Sequence, residues 1–373
     1  MKTGHAILFL SLCLTFGCRP TPSTVRVSAE GDSVRYASGF SVEVYTDYTA
    51  VEVLDPWNNT RILQRYLLVG RDAPLPSGLP KGTVVRVPLE RVVVYTAVHA
   101  AIIDELGETD KIIGVCEPQF IDIPAVHDGL RNERIADLGL ATAPNVERII
   151  DLDAEVIIAS PFQNSGYGAA GKIGIPIIEG ADYMELTPLG RAEWGYFFGL
   201  LFDREERADS IFRQTEARYM ALKELAASAD TRPTVLADKR YGATWFVSPG
   251  ESYMAQFFKD AGADYIFSDL PGVTSVPMAF EAVYDAAIHA DFWLIKYNAA
   301  SKITYSDLRS EYQPYENFDA FQRQQVYACN TSLAGYYEET PMHPDKLLKD
   351  LIKVFHPSLL PDYHSRYFLR IEK

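Results

Sequence analysis

Two stretches of the sequence, "NVERIIDLDAEVIIAS" at residues 145–160 and "AFEAVYDAAIHADFWLI" at residues 279–295, share one pattern. Each places a glutamate, Glu147 or Glu281, at the start of a short amphipathic run. Each then passes through Ala-Glu or Ala-Asp into a dense apolar stretch, which is typical of a buried strand. The pattern predicts a helix followed by a strand, twice in one chain, and therefore two similar lobes that face one partner.

Neighbouring segments repeat this alternation in both halves of the chain. In the first half, "RVVVYTAVHAAIIDELGETDKIIGV" predicts a strand, a helix and a second strand, and "KIGIPIIEG" predicts a further helix end and strand. After Pro233, "TVLADK" and "SYMAQFFKDAGADYIF" restart the rhythm. Strands that alternate with helices predict parallel sheets, so the fold class is α/β. Residues 33–90 differ, because "FSVEVYTDYTAVEVL" alternates apolar and polar residues in the manner of half-buried strands.

The middle of the chain predicts one long helix. Apolar residues recur at helical spacing from about Arg204 to Ala227, and Asp203 followed by Glu206 has the spacing of a capping box. The predicted organisation is therefore an amino-terminal α/β lobe at 33–187 that includes the β-rich segment, a helical connector at 188–228, and a carboxyl-terminal α/β lobe at 229–373.

The amino terminus has the features of an export signal. Residues 1–17 contain one lysine and an apolar core that is too short to span a bilayer as a helix. Gly17-Cys18 matches the end of a bacterial lipobox, so we expect lipidation of Cys18 and a tether at residues 18–32; the alternatives are a secretory peptide cut nearby, or no cleavage. Cys116 and Cys329 have no metal-binding spacing, and we expect both to be buried as small apolar residues.

The charge of the chain limits its partners. The 373 residues carry a formal net charge of −15. Nucleic-acid binding requires an excess of lysine and arginine, so we expect no nucleic-acid partner.

The order of these segments resembles the extracytoplasmic solute-binding proteins of ABC importers, in the group whose lobes are joined by a single long helix and whose members bind ferric siderophores, haem or cobalamin. The resemblance covers the chain from about Pro88 to its end. It rests on "RVVVYTAVHAAIIDELG", "VERIIDLDAEVIIAS", "PLGRAEWGYFFGLLFDREERADSIF", "SPGESYMAQFFKDAGADYIF", the helix that begins with Glu281, and "HPDKLLKDLIKVFHPSLLPDY" in combination. The β-rich residues 33–87 depart from the pattern, and we expect them to add strands to the first lobe.

The resemblance implies a ligand cleft between the lobes, lined by the loops that follow the carboxyl ends of the strands. The residues so selected are Tyr95, Thr96, Gln119, Phe120, Phe162, Gln163 and Asn164 in the first lobe, and Arg240, Tyr241, Trp245, Lys296, Tyr297, Tyr336 and Tyr337 in the second. Aromatic walls suit a bulky, partly apolar chelate, and arginine and lysine suit its carboxylates or an anionic catecholate. A ferric siderophore is the favoured ligand, with cobalamin and haem as alternatives; Tyr95 could supply an axial oxygen to haem.

The resemblance also implies a partner. One exposed glutamate in each lobe, Glu147 and Glu281, would meet an arginine in each half of a dimeric permease that works with ATPase subunits. The alternative is that each glutamate is simply favoured by the dipole of its helix. The expected molecule is a monomeric lipoprotein of the bacterial periplasm, held at the membrane by its lipid.

Two other functions are weighed against this one. An enzyme would need a recognisable catalytic motif, and we find no Gly-x-Ser-x-Gly elbow, phosphate loop or His-Glu-x-x-His; no cofactor is expected. A zinc- or manganese-binding protein would need several histidines and carboxylates to converge. The histidines after residue 18 do not line the cleft loops together; they are His99, His127, His289, His343, His356 and His364.

Overall fold

The computed structural model describes residues 34–164 and 166–373. The predicted signal peptide, the tether and Cys18 lie outside the described residues. The chain begins with a four-stranded sheet in the order β1-β2-β3-β4, in which only the last pairing is parallel. Its strands are β1 (Phe40–Val44), β2 (Thr49–Asp55), β3 (Asn58–Gly70) and β4 (Thr83–Val87). The β-rich prediction for this segment is therefore confirmed.

The first lobe is built on a five-stranded parallel sheet with helices and a small hairpin around it. The sheet strands are β5 (Val92–Val94), β6 (Ile112–Val115), β7 (Ala136–Asp137), β10 (Val156–Ala159) and β11 (Ile177–Glu179), and the hairpin strands are β8 (Gly139–Leu140) and β9 (Ala143–Pro144). The sheet order is β11-β10-β5-β6-β7, with every pairing parallel. The helices are α1 (Ala97–Glu105), α2 (Pro124–Arg131) and α3 (Val146–Asp151).

Two consecutive helices follow, α4 (Pro188–Phe202) and α5 (Glu205–Ala227). The 23 residues of α5 make it about 35 Å long at the usual rise per residue. Ala208, near its start, belongs to the hydrophobic core of the first lobe, and Tyr219 and Ala226, near its end, belong to the core of the second lobe. The long helix therefore joins the two cores, as the sequence predicts.

The predicted cap of this helix is wrong. Asp203 has a left-handed backbone with φ of 57° and ends α4, with its N–H donating to the carbonyl of Gly199. Arg204 precedes α5 and makes no side-chain capping hydrogen bond. Asp203 and Glu206 have the spacing of a capping box, but the chain uses Asp203 to turn sharply between two helices.

The second lobe repeats the α/β plan. Its main sheet has the order β15-β12-β17-β18-β19, with only β19 antiparallel. Its strands are β12 (Thr234–Ala237), β13 (Arg240–Tyr241), β14 (Thr244–Val247), β15 (Asp264–Tyr265), β16 (Val276–Met278), β17 (Phe292–Tyr297), β18 (Val326–Asn330) and β19 (Leu369–Arg370), of which β13, β14 and β16 form a separate antiparallel sheet. Its helices are α6 (Tyr253–Asp260), α7 (Phe280–Ala287), α8 (Tyr305–Glu311), α9 (Asp319–Gln322), α10 (Tyr336–Glu339) and α11 (Pro344–Phe355).

The repeated pattern in the sequence is the same helix–strand unit in each lobe. Helix α3 leads into β10 of the first sheet, and α7 leads into β17 of the second. Glu147 and Glu281 lie in the first turns of α3 and α7, and both are exposed. The fold is thus two α/β lobes with mainly parallel sheets, joined by one long helix.

Candidate binding cleft

A cavity of about 360 Å³ opens in the first lobe where β5, β6 and β10 reach their carboxyl ends. Parallel strands place their carboxyl ends at one edge of a sheet, so the residues that follow them converge there. The cavity is lined by Tyr95, Thr96, Ala97, Cys116, Glu117, Phe120, Ala141, Thr142, Ala159, Ser160, Phe162, Gly166 and Tyr167. It is therefore mostly apolar and aromatic, with a few polar groups, which is typical of small-molecule sites.

Tyr95 and Cys116 supply two buried protic groups to this cavity. Their backbone N–H groups extend the sheet by donating to the carbonyls of Ile158 and Val94. The Tyr95 side chain is only 5% exposed, and its hydroxyl has no hydrogen-bond partner among the described residues. Burial raises the pKa of the Tyr95 hydroxyl, and burial raises the pKa of the Cys116 thiol to about 12. Both groups are therefore neutral at physiological pH, and the phenol is a donor without a partner.

The remaining walls come from the loops after these strands. Thr96 caps α1 by accepting a hydrogen bond from the N–H of His99 at 3.2 Å, so its hydroxyl is already engaged. Glu117 has a left-handed backbone, and its N–H donates to the carbonyl of Gly139. Phe120 and Phe162 are 54% and 61% exposed, so two phenyl rings stand open to solvent at the mouth of the cavity.

One wall is connected to the amino-terminal sheet. Tyr167 donates a hydrogen bond of 3.0 Å to Oε1 of Glu179, the last residue of β11. Tyr66 of β3 donates to the carbonyl of Ile177 at 3.0 Å and accepts from the N–H of Glu179 at 2.8 Å. Tyr66 of the amino-terminal sheet is therefore bonded to β11, and Glu179 of β11 is bonded to Tyr167, which lines the cavity.

A second cavity, of about 570 Å³, lies between the lobes. Ala97 and Phe120 line both cavities, so the two adjoin. Its other lining residues are Val98, Gln119, Ile121, Asp122 and His127 from the first lobe, and Asn298, Thr331, Ser332, Leu333, Tyr337 and Glu338 from the second. The structure thus forms one recess that runs from the first-lobe sheet into the space between the lobes.

Two contacts hold the lobes together beside this recess. Burial raises the pKa of Glu338, and a hydrogen bond from the backbone N–H of Asp122 across the cleft opposes that shift. In the core of the junction, Asp182 accepts from Arg191 at 3.0 Å and lies 3.1 Å from Nε2 of His99. The Arg191 guanidinium also lies 5.5 Å from the ring centroid of Tyr253 in the second lobe. A buried charge pair of the first lobe is therefore in contact with the second.

The structure distributes the predicted first-lobe residues unevenly. Tyr95, Thr96, Phe120 and Phe162 line the first-lobe cavity, and Gln119 joins Phe120 in the inter-lobe cavity. Gln163 and Asn164 are exposed and line neither cavity.

The predicted second-lobe residues fit the recess less well. Tyr337 lines the inter-lobe cavity, whereas Tyr336 is buried with its hydroxyl 3.6 Å from the Met254 sulfur. Tyr297 lines a further cavity of about 140 Å³ in the second lobe, which shares Leu333 with the inter-lobe cavity. Tyr241 is 83% exposed, on the hairpin of β13 and β14.

The prediction that Trp245 lines the cleft is wrong. Its side chain is fully buried, and its indole N–H donates to the carbonyl of Ala237 at 3.1 Å. Its ring packs on Trp293 and Tyr315. The alternation of β14 turns Trp245 into the core of the lobe and leaves Phe246 exposed.

Arg240 and Lys296 lie beside groups of their own lobe. The Arg240 guanidinium lies 3.8 Å from the ring centroid of Tyr312, and Nη2 donates to the carbonyl of Gly242. Lys296 lies 4.0 Å from Asp238. Neither lines either cavity of the recess.

Most residues that line the recess were not selected from the sequence, among them the titratable Cys116, Glu117, Asp122, Tyr167 and Glu338. Cys116 and Glu117 directly follow β6, so the rule that selected Tyr95 would have found them. Cys116 is buried as expected, and so is Cys329, but Cys116 also lines a cavity. Tyr167 lies in the glycine-rich run that follows β10.

The described residues contain neither a candidate membrane-spanning helix nor a candidate metal-binding cluster. Over 34–164 and 166–373, no helix is long and apolar enough to cross a membrane. The same part of the chain contains no group of three or more histidine, cysteine, aspartate or glutamate side chains that could hold a metal ion.

Comparison with known proteins gives a consistent result. A family model described as periplasmic binding protein matches residues 92–333. An uncharacterised lipoprotein of Methanocaldococcus jannaschii is 26% identical over 326 residues, which cover 82% of this chain and 76% of that protein.

Solved structures with the same fold include an ABC-type Fe³⁺-hydroxamate transport protein of Saccharomonospora viridis, with a TM-score of 0.57 and 16% identity over 72% of this chain and 94% of that one. They also include IsdE of Staphylococcus aureus complexed with haem, with a TM-score of 0.55 and 16% identity over 71% of this chain and 98% of that one. At these identities the likeness concerns the fold alone.

Proposed function

Because the chain belongs to the periplasmic binding protein family, whose members bind solutes for ABC-type import, we propose that it captures a bulky metal chelate between its lobes and delivers it to a membrane permease. A ferric siderophore is the ligand we favour. The observation that carries this proposal is the recess formed by the two adjoining cavities, which draws residues from both lobes.

The size and lining of the recess support a bulky ligand. Its cavities measure about 360 and 570 Å³, within the range of roughly 300–1,000 Å³ typical of small-molecule sites. Tyr95, Phe120, Phe162 and Tyr167 offer ring surfaces to the apolar parts of a chelate. The unpartnered Tyr95 hydroxyl offers a hydrogen bond to an oxygen of the ligand, and forming it removes the cost of a buried donor without a partner.

Family membership argues for solute binding and against the first alternative function, an enzyme. Periplasmic binding proteins of this kind are solute-binding transport proteins and not enzymes. Among the described residues, no group of histidine, cysteine and carboxylate side chains is arranged to hold a zinc or manganese ion.

Haem is the second candidate for the ligand, and Tyr95 is the observation that favours it. A phenol oxygen can be an axial ligand to haem iron, and the Tyr95 hydroxyl is buried at the edge of the cavity with no hydrogen-bond partner among the described residues. Haem propionates would need cations, however, and no lysine or arginine is among the described residues that line the recess. We therefore rank haem below a ferric siderophore.

Visible absorption tests the function directly, because ferric siderophores, haem and cobalamin are all coloured. Purified protein is mixed with one representative of each class and passed through a desalting column. We expect a ferric siderophore to elute with the protein in a one-to-one ratio. If only haem or only cobalamin elutes with the protein, that molecule and not a ferric siderophore is the ligand. If none of the three elutes with the protein, the proposed function is contradicted.

We further propose that the protein acts outside the cytoplasm as a monomer anchored by a lipid on Cys18. The apolar core before Gly17-Cys18 motivates this proposal, and the lipoprotein of Methanocaldococcus jannaschii supports it. Cys18→Ser should move the protein from the membrane pellet to the soluble fraction when expressing cells are fractionated. Cys116→Ser, which leaves the lipobox intact, is the control. A Cys18→Ser protein that stays in the pellet would contradict the anchor.

A further inference from the structure

We infer that the recess favours a neutral or positively charged chelate over a negatively charged one; this inference rests on the chelate-binding function proposed above. It concerns the charge of the ligand, which neither the family match nor the likeness of fold determines.

Three carboxyl side chains are among the described residues that line the recess. Glu117 lines the first-lobe cavity, and Asp122 and Glu338 line the cavity between the lobes. The other titratable lining residues are His127, Cys116 and tyrosines, and none of the described lining residues is a lysine or an arginine. An anionic ligand would therefore lose its hydration without gaining a cationic partner.

Three cations that the second-lobe sequence places at or just after the ends of its strands, Lys239, Arg240 and Lys296, already have partners. Lys239 pairs with Glu311 at 2.5 Å, and Lys296 lies 4.0 Å from Asp238. Arg240 lies on the Tyr312 ring. Recruiting any of them to an anionic ligand would break an interaction that the lobe now makes.

The charge of the whole chain acts in the same direction. The formal net charge of −15 attracts cations and repels anions over distances comparable to the Debye length. Inside the recess, where water is partly excluded, the repulsion between a carboxylate of the protein and one of the ligand is stronger than in bulk water.

A matched pair of probes tests this inference. The first is a linear ferric trihydroxamate with a free terminal ammonium group, and the second is the same chelate after that amine has been succinylated, which replaces the positive charge by a negative one. The metal core is unchanged. We expect the ammonium form to bind at least tenfold more tightly in a tryptophan-fluorescence titration, and the ratio to fall as salt is added.

Variants of the protein connect the ratio to the recess. Glu117→Gln combined with Asp122→Asn should reduce the preference for the ammonium form at least threefold. Glu224→Gln combined with Asp230→Asn removes two exposed carboxylates at the far end of α5 and should leave the preference unchanged.

Two results would overturn the inference while leaving the function intact. One is equal or tighter binding of the succinylated chelate, and the other is a preference that Glu117→Gln with Asp122→Asn does not alter. If no chelate of any charge binds the wild-type protein, the proposed function fails and this inference fails with it.

We also infer, from separate contacts, that the amino-terminal sheet positions a wall of the recess through Glu179. This sheet precedes the residues that the family model matches. Tyr66 makes two hydrogen bonds to β11, and Glu179 of that strand accepts from Tyr167. Burial raises the pKa of Glu179, and hydrogen bonds from Tyr167 and Gln64 oppose the shift. Glu179 is thus a positioning residue that acts on the ligand through Tyr167.

Conservative variants separate positioning from general stability. Tyr167→Phe and Glu179→Ala should each weaken binding of the ammonium trihydroxamate about three- to tenfold, since each removes the hydrogen bond between the Tyr167 hydroxyl and Glu179. Glu179→Gln keeps an acceptor and should bind within twofold of wild type. Tyr363→Phe removes a similar phenol–carboxylate bond, to Asp350 in the second lobe, and should not change affinity. Wild-type affinity in Tyr167→Phe and Glu179→Ala, or equal losses in Glu179→Gln and Glu179→Ala, would overturn this proposal.

Discussion

Replacing Arg191 with methionine is expected to lower the free energy of unfolding by about 3–5 kcal/mol, which is typical of breaking a buried ion pair. The change leaves the Asp182 carboxylate, 2% exposed on its side chain, without its cationic partner. It also removes the contact between the Arg191 guanidinium and Tyr253, so it weakens the junction between the lobes.

The pH dependence of this loss follows from the pKa of Asp182. Burial alone would raise that pKa, but Arg191 and His99 bring it below its ordinary value near 4. In the wild type, the contribution of Asp182 is therefore present above about pH 4 and lost as the pH falls through the lowered pKa. Without Arg191, we expect burial to dominate and to raise the pKa of Asp182. The loss in the free energy of unfolding of Arg191→Met relative to wild type should therefore be larger near pH 7 than near pH 5.

Urea unfolding followed by circular dichroism at both pH values measures this effect. The matched control is Arg213→Met, which breaks an exposed pair with Asp209 one turn away on α5 and should cost about 0.5 kcal/mol or less. If Arg191→Met unfolds at the same urea concentration as Arg213→Met, the buried pair does not stabilise the junction.

Reversing the charge of both Glu147 and Glu281 to lysine is expected to reduce solute uptake by on the order of tenfold or more. Each residue is exposed in the first turn of its helix, once in each lobe. We propose that they form ion pairs with the two halves of a dimeric permease. A single exposed ion pair contributes about 1 kcal/mol or less. Two ion pairs made by one rigid body act together, so the loss of uptake in the double variant should exceed the sum of the losses in the two single variants.

The readouts are uptake in cells and stimulation of the ATPase activity of the reconstituted permease. Chelate affinity should stay at the wild-type value, because neither glutamate lines the recess. The control, Glu224→Lys with Asp230→Lys, makes the same charge change in the last turn of α5 and just after it, and should transport normally. Normal uptake by the protein with both Glu147→Lys and Glu281→Lys would mean that these glutamates stabilise the starts of their helices and do not bind the permease.

The architecture could be predicted because it depends on local periodicity. The alternation of helical and strand patterns in "VERIIDLDAEVIIAS" and "FEAVYDAAIHADFWLI" is visible without any tertiary contact, and the structure confirms both units. The prediction of a cap at Asp203 failed because the spacing of Asp203 and Glu206 is the same whether the backbone before the helix is extended, as a capping box requires, or left-handed. At this turn α4 and α5 approach closely, since a Cβ added at Gly199 would lie 3.0 Å from atoms of Glu205 and Ala208, and such a tertiary contact is not visible in the sequence.

The recess was only partly predictable for a related reason. Residues that follow parallel strands in the first lobe could be selected from sequence, because strand direction fixes where they converge. Trp245 could not be placed, because a shift of one position along β14 exchanges it with Phe246 between core and surface. The role of Glu179 depends on a contact between β3 and β11, which are far apart in sequence.

The most direct test of the account is a calorimetric titration of the wild-type protein and a cavity-blocking variant with the ammonium ferric trihydroxamate. Thr142 is exposed and lines the first-lobe cavity, so Thr142→Trp fills that cavity without disturbing the core. The account predicts one chelate per wild-type chain, and at least tenfold weaker binding to Thr142→Trp with an unchanged melting temperature. Wild-type affinity in the blocked variant would contradict the claim that the chelate binds in the recess between the lobes.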